Sequence, residues 1–139
     1  MNIQNMNILD KFIEKDNFAK YTGIEIIDYS KGYAKAKMNV RDIHLNSAGT
    51  VHGGVLFSLA DSAFAVASNS YGTIAMAINV SISYFKAVSK GILFAEAREV
   101  SLNPRLATYV IEIKDEEGNI VAFFQGTVYR KKESLDEIL

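Results

Sequence analysis

The chain has 139 residues, 49% of them hydrophobic and 22% charged, which is enough for one globular domain and too little for a second core. Fifteen Lys and Arg against sixteen Asp and Glu leave a net charge of −1, so no broad electropositive surface is expected for a nucleic-acid backbone. The absence of Cys removes disulfides, thiolate nucleophiles and Cys-based metal sites, and it fits a reducing, cytoplasmic setting.

The opening segment is polar and carries Asp10 and Glu14 within its apolar run, unlike a secretory signal peptide. Ile8, Leu9, Phe12 and Ile13 recur at helical spacing and predict a short amphipathic helix over about residues 7–16, with chain direction changing by Tyr21-Thr22-Gly23. Residues 23–29 and 33–40 are strand-like, and the intervening Lys31-Gly32 reads as a hairpin turn. Residues 41–52 have no sustained period and form a loop running into Gly53-Gly54.

Residues 53–70 then predict a central helix. From Val55 to Asn69 there is neither Gly nor Pro, and the Ala- and Leu-rich run makes a helix longer than about 20 Å. It is apolar nearly all round, the mark of a buried helix. His52, Asp61 and two serines keep residues 51–67 short of the roughly 20 apolar residues a membrane span needs. Four strands follow, over 74–85, 92–102, 107–114 and 120–130, separated by Lys90-Gly91, Asn103-Pro104 and the turn from Asp115 to Asn119. The charged tail, 131–139, is expected to be frayed or a short helix. Two strands, a helix and four strands predict an α+β domain in which an antiparallel sheet wraps the helix. One sheet covers only part of such a helix, so the remaining apolar surface predicts association with another subunit.

Asp61 is the only charged side chain between Val55 and Ser70, and an isolated carboxylate is costly to bury. It must reach a cavity, find donors, take up a proton or sit at a subunit contact. His52-Gly53-Gly54 opens the same helix, where small residues admit a ligand to free N–H groups and to the positive end of the helix dipole. That is the physics of an oxyanion hole, and equally of a plain loop-to-helix turn. Asn46 could orient a carbonyl or a water, or serve as a turn residue. His44 and His52, eight residues apart, match no common metal spacing, and no metal is expected. His44 reads as structural or exposed. No Gly-x-Ser-x-Gly elbow and no phosphate-cradling Gly-rich motif is present. Asn79, Ser81 and Ser83 alternate with apolar neighbours along one strand, and Lys86, Lys90, Arg105, Arg130, Lys131 and Lys132 fall near strand ends where cations could meet phosphates.

The run Asn46-x-x-Gly49-x-x-His52-Gly53-Gly54, followed by Leu59-Ala60-Asp61, resembles the signature of the hotdog-fold acyl-CoA thioesterases. The stretch HGGVLFSLADSAFAVASNSYG is especially similar to the phenylacetic-acid-degradation, PaaI-like branch, and the element order agrees over roughly residues 20–130. The resemblance implies a hotdog fold, a homodimer with joined sheets or a homotetramer, and sites built across the dimer interface. Asp61 of one subunit would then face Asn46, His52 and Gly53 of its partner.

Hydrolysis of an acyl-CoA is the implied activity, with no cofactor beyond the CoA of the substrate. Gly53 N–H would polarise the carbonyl with Asn46 or His52 assisting, and Asp61 would be general base or nucleophile. Gly54, Leu56, Phe57, Phe64 and Ser68 are the expected acyl-side contacts, with Lys86 and Arg105 on the CoA phosphates. The phenylacetyl branch suggests small or aromatic acyl groups. A related branch places a water-positioning Ser or Thr where alignment on Tyr84 puts Ala77, a role left to Ser62, Ser81 or a water. Two alternatives stand beside this reading: a non-catalytic acyl-CoA sensor on the same fold, and a hotdog dehydratase, whose Pro-rich approach loop has no counterpart between His44 and Gly54.

Overall fold

The computed structural model describes residues 7–139; residues 1–6, part of the polar opening judged above against a signal peptide, lie outside it. Helix α1, Ile8–Glu14, starts where Asn7 caps it by accepting from Asp10 N–H at 2.8 Å. A second short helix, α2, spans Asn17–Thr22 and was not expected from the sequence. Asp16 caps its start and Gly23, at φ 88°, closes it in the left-handed conformation. Its apolar residues carry no helical signal because Phe18 and Tyr21 face solvent, 62% and 81% exposed, while Ala19 and Thr22 are buried.

Six strands form one antiparallel sheet: β1 Ile24–Ser30, β2 Tyr33–Asn39, β3 Thr73–Tyr84, β4 Ile92–Leu102, β5 Leu106–Lys114 and β6 Ile120–Ser134, in the order β1-β2-β4-β5-β6-β3. Helix α3, Gly53–Asn69, lies on its inner face. The sheet accepts the helix closely because the inward positions of β2 and β4 are small: Ala34 and Ala36 beside Ala95 and Ala97, all fully buried. Larger side chains, Tyr109, Ile111 and Phe124 from β5 and β6, fill the far side of the helix. Gly126 in β6 leaves the room that the Phe64 ring occupies; a Cβ there would lie 2.6 Å from Phe64 Cζ.

Two further features differ from the sequence expectation. β6 continues through the charged run to Ser134, because these residues still pair with β3, Thr73 opposite Ser134. The tail then makes one 3₁₀ turn, Leu135–Glu137, with Leu135 completely buried, so it is anchored and not frayed. In addition, β3 is an edge strand of twelve residues without a charge, hydrogen-bonded to β6 on one side only. Its Met76 and Ile78 are more than half exposed. Among the described residues no helix is long and apolar enough to cross a membrane, and no group of three or more metal-ligating side chains occurs.

Candidate active site

The approach to α3 is a tight loop closed by the Leu45–Val51 bridge. Asn46 is its hub: its side-chain oxygen accepts from Ala48 N–H at 2.9 Å and Thr50 N–H at 3.1 Å, and the whole residue is exposed. His44 is buried and structural. Its Nδ1 accepts from Arg41 N–H at 2.9 Å, so the proton sits on Nε2, which donates to Thr22 O at 2.6 Å and ties the loop to the end of α2.

His52 caps α3. Its Nδ1 accepts from Gly54 N–H at 2.9 Å, while its carbonyl accepts from Val55 and Leu56 N–H. With Nδ1 an acceptor, the ring N–H is Nε2–H, which has no partner among the described residues and lies on an exposed residue. Three of the first four N–H groups of α3 are thus turned to His52, and that of Gly53 has no partner among the described residues. Tyr84 fixes this corner from β3: its hydroxyl donates to Gly53 O at 3.0 Å, and its ring lies where a Cβ on Gly53 would stand 3.2 Å from Cζ. A side chain at position 53 would therefore press on the Tyr84 ring, which would have to give by a few tenths of an ångström.

Asp61 stands half-buried in the middle of α3, with no hydrogen bond or ion pair among the described residues. Burial raises its pKa above the usual carboxylate value, and the Asp16 carboxylate adds to the effect. It opens into a cleft of about 380 Å³ between α3 and the start of β3. Phe64, Ala65 and Ser68 line the helix side, and Ala75 and Ala77 the strand side. Ala77 thus lines the same cleft as Asp61 but offers only a methyl group, while Ser62 faces a different cavity and Ser81 is absent from the lining.

Within one chain Asp61 and Gly53 do not meet at one carbonyl: eight residues of helix separate them by about 12 Å along its axis. Of the other expected contacts, Phe64 and Ser68 line the cleft. Leu56 is buried in the core, and Phe57 packs edge-on against Phe124 at 5.2 Å, neither of them in the cleft lining. Gly54 is exposed beside the His52 ring. Lys86 is ion-paired to Asp115 at 2.5 Å, next to Glu117. Arg105 is exposed at the other end of the sheet: Leu106 pairs with Tyr129 and Tyr84 with Ala122, seven residues of β6 apart, or about 23 Å. One subunit's Lys86 and Arg105 therefore do not share a phosphate group. Two contributors escaped the sequence reading, Tyr84 behind Gly53 and Asp16 near Asp61; both act across the fold, and only the capping position of Asp16 has a local signal.

A long antiparallel sheet wrapped on one helix, with an N–H at the helix start and a carboxylate midway along it that find no partner among the described residues, has the architecture of a hotdog-fold protein. The chain belongs to the thioesterase superfamily, whose pattern it matches over residues 48–122, and within it to the PaaI-like thioester hydrolases. A protein of Archaeoglobus fulgidus is 46% identical over 91% of this chain and 82% of its own length. The acyl-coenzyme A thioesterase PaaI of Escherichia coli is 39% identical, over 84% of each chain. The solved structure of the Escherichia coli PaaI protein superposes with a TM-score of 0.87 over 90% of this chain and 91% of that one, at 36% identity.

Proposed function

We propose that the protein hydrolyses an acyl-CoA thioester to a carboxylic acid and free CoA, on short-chain or aromatic acyl groups of the phenylacetyl kind. The carrying observation is Asp61: a carboxylate without a partner among the described residues, opening on a mostly apolar cleft and held on the helix whose first N–H has no partner among them either. The working unit is a homodimer, alone or doubled to a homotetramer. It is supported by the uncharged, singly paired edge of β3, the kind of strand that is covered in stable proteins, and by the roughly 12 Å between Asp61 and Gly53 of one chain. Pairing through β3 brings the Gly53 of one subunit to the Asp61 of the other.

The thioester oxygen accepts from Gly53 N–H, with His52 Nε2–H or the Asn46 amide alongside. Ionised Asp61 removes a proton from water as the water oxygen bonds to the carbonyl carbon. The tetrahedral oxyanion stays on Gly53 N–H until the C–S bond breaks, and the CoA thiolate takes the proton from Asp61. Direct attack by Asp61 is the second route: it expels the thiolate, forms a mixed anhydride, and water then releases the acid and the carboxylate. Neither route calls on a metal or a cofactor beyond the CoA of the substrate, and the reaction belongs to the cytoplasm, where acyl-CoA is made and used.

Asp61→Asn keeps the size and shape of the side chain while removing the base. Thiol release from acyl-CoA is expected to fall at least about a hundredfold with acyl-CoA binding retained. Near-normal turnover in the variant overturns the role of Asp61, and tight stoichiometric binding without thiol release by the wild type identifies a sensor.

A further inference from the structure

The Asp61 cleft has two ends, and the thioesterase reading puts the carboxylate at one without saying what closes the other. From Asp61 the cleft follows α3 past Ala65 to Ser68, about 10 Å along the helix axis, and on the strand side it follows β3 from Ala77 back to Ile74. Its far end therefore lies where α3 stops and β3 begins. The turn Leu135–Glu137 is pinned at that point. Leu135 N–H donates to Gly72 O at 2.9 Å, the Leu135 side chain is completely buried, and Ser134 caps the turn by accepting from Asp136 N–H at 3.2 Å. Ile138, held through its N–H on Leu135 O at 3.1 Å, consequently stands at the end of the cleft remote from the reacting carboxylate.

Resting on the thioesterase reading, we infer that Ile138 sets the length of the acyl group: it is the stop against which the end of the chain or ring abuts. The lining between Asp61 and Ile138 is mostly apolar, Phe64, Ala65, Ile74 and Ala75 among it, with Ser68, Asn69 and Lys131 as its polar members, a surface that suits an acyl group better than the nucleotide of CoA. A cavity of about 150 Å³ accommodates benzene, so about 380 Å³ open at one side receives an aromatic ring or a medium-length chain before Ile138 is met. The neighbouring cavity, about 260 Å³ on the other side of Phe12 and Ala65, does not extend this volume for an anionic substrate. Its rim carries Glu14, Asp16 and Glu25, and its one cation, Lys20, is paired with Glu14. Phe12 lines both cavities and packs on the core, so it is a wall of the fold; Ile138 is 60% exposed and can be changed without opening the core.

The test is thiol release from straight-chain acyl-CoAs of increasing length and from phenylacetyl-CoA, by wild type, Ile138→Ala and Ile138→Trp, read as the ratio of kcat/KM for long against short chains. Calorimetric titration with the same compounds runs in parallel. Ile138→Ala is expected to raise the ratio about tenfold and Ile138→Trp to lower it by a similar factor, as for a pocket differing by a few methylene groups. An unchanged ratio in both variants, with wild-type turnover intact, overturns the inference and leaves the thioesterase reading standing. If the wild type releases no thiol from any compound, the thioesterase reading falls and the titrations decide: a shift of the preferred length in the variants supports Ile138 as the stop, and its absence removes both.

Discussion

At the scale of single residues, the proposed chemistry rests on keeping one carboxylate basic. Desolvation in the cleft raises the pKa of Asp61 and the Asp16 carboxylate raises it further, while Lys131 lines the same cleft without offsetting either. A folded-state pKa above the unfolded one means that ionising Asp61 opposes folding. Its contribution to stability is whole below the unfolded pKa and is lost as pH rises through the higher folded value. The proposed catalysis runs the other way: with the ionised form as the base, the acid limb of the rate profile is expected to follow the raised pKa of Asp61. Asp16→Asn separates the two effects cleanly, because Asn caps α2 as well as Asp does while carrying no charge. The acid limb of kcat/KM against pH is expected to move to lower pH in this variant, with the unfolding midpoint nearly unchanged. A limb that stays in place removes Asp16 from the tuning of the base.

At the scale of elements, the fit of α3 to the sheet is set where β6 lacks a side chain. Phe64, 1% exposed, lies on Gly126 with its ring 5.5 Å from Phe124 and 5.8 Å from Tyr109. Gly126→Ala forces a Cβ to 2.6 Å from Phe64 Cζ, and overpacking of this kind costs about 1–3 kcal/mol. Urea unfolding is expected to show that loss with an unchanged m value, and Phe64→Leu in the same chain should return part of it. Elements whose apolar residues face the core were legible in the sequence: α3 by its all-round apolarity and lone Asp61, and β2, β4 and β5 by alternation. α2 was not, because Phe18 and Tyr21 point to solvent and its caps, Asp16 and Gly23, are its only local mark. The end of β6 was hidden for a related reason, since a charged run continues as strand when a neighbour, here β3, supplies its hydrogen bonds. The Gly53 corner was half visible: the helix-start glycines could be read locally, but Tyr84 reaches Gly53 from 31 residues away, and no local pattern encodes such a contact.

At the scale of the whole molecule, the proposed division of the site between two subunits makes a prediction that no single-chain site shares. Asp61→Asn removes the base and leaves the helix start whole. Gly53→Ala puts a Cβ 3.2 Å from the Tyr84 ring, so the ring or the helix start must shift; it is expected to disturb the Gly53 N–H while leaving Asp61 whole. Each homodimer is then defective at both sites. When the two variants are mixed, unfolded and refolded together, half of the dimers are mixed. In a mixed dimer one site combines the intact Asp61 of one chain with the intact Gly53 of the other, while its counterpart has neither. Random pairing therefore restores about a quarter of wild-type activity from two inactive parents, in keeping with the reciprocal contacts of a two-fold interface. If both groups came from one chain, every site in the mixture would remain defective and no activity would return. Light scattering on the same samples fixes the assembly: a dimer or tetramer is expected at micromolar concentration, and a monomer that still hydrolyses acyl-CoA would place the whole site within one chain despite the separation along α3.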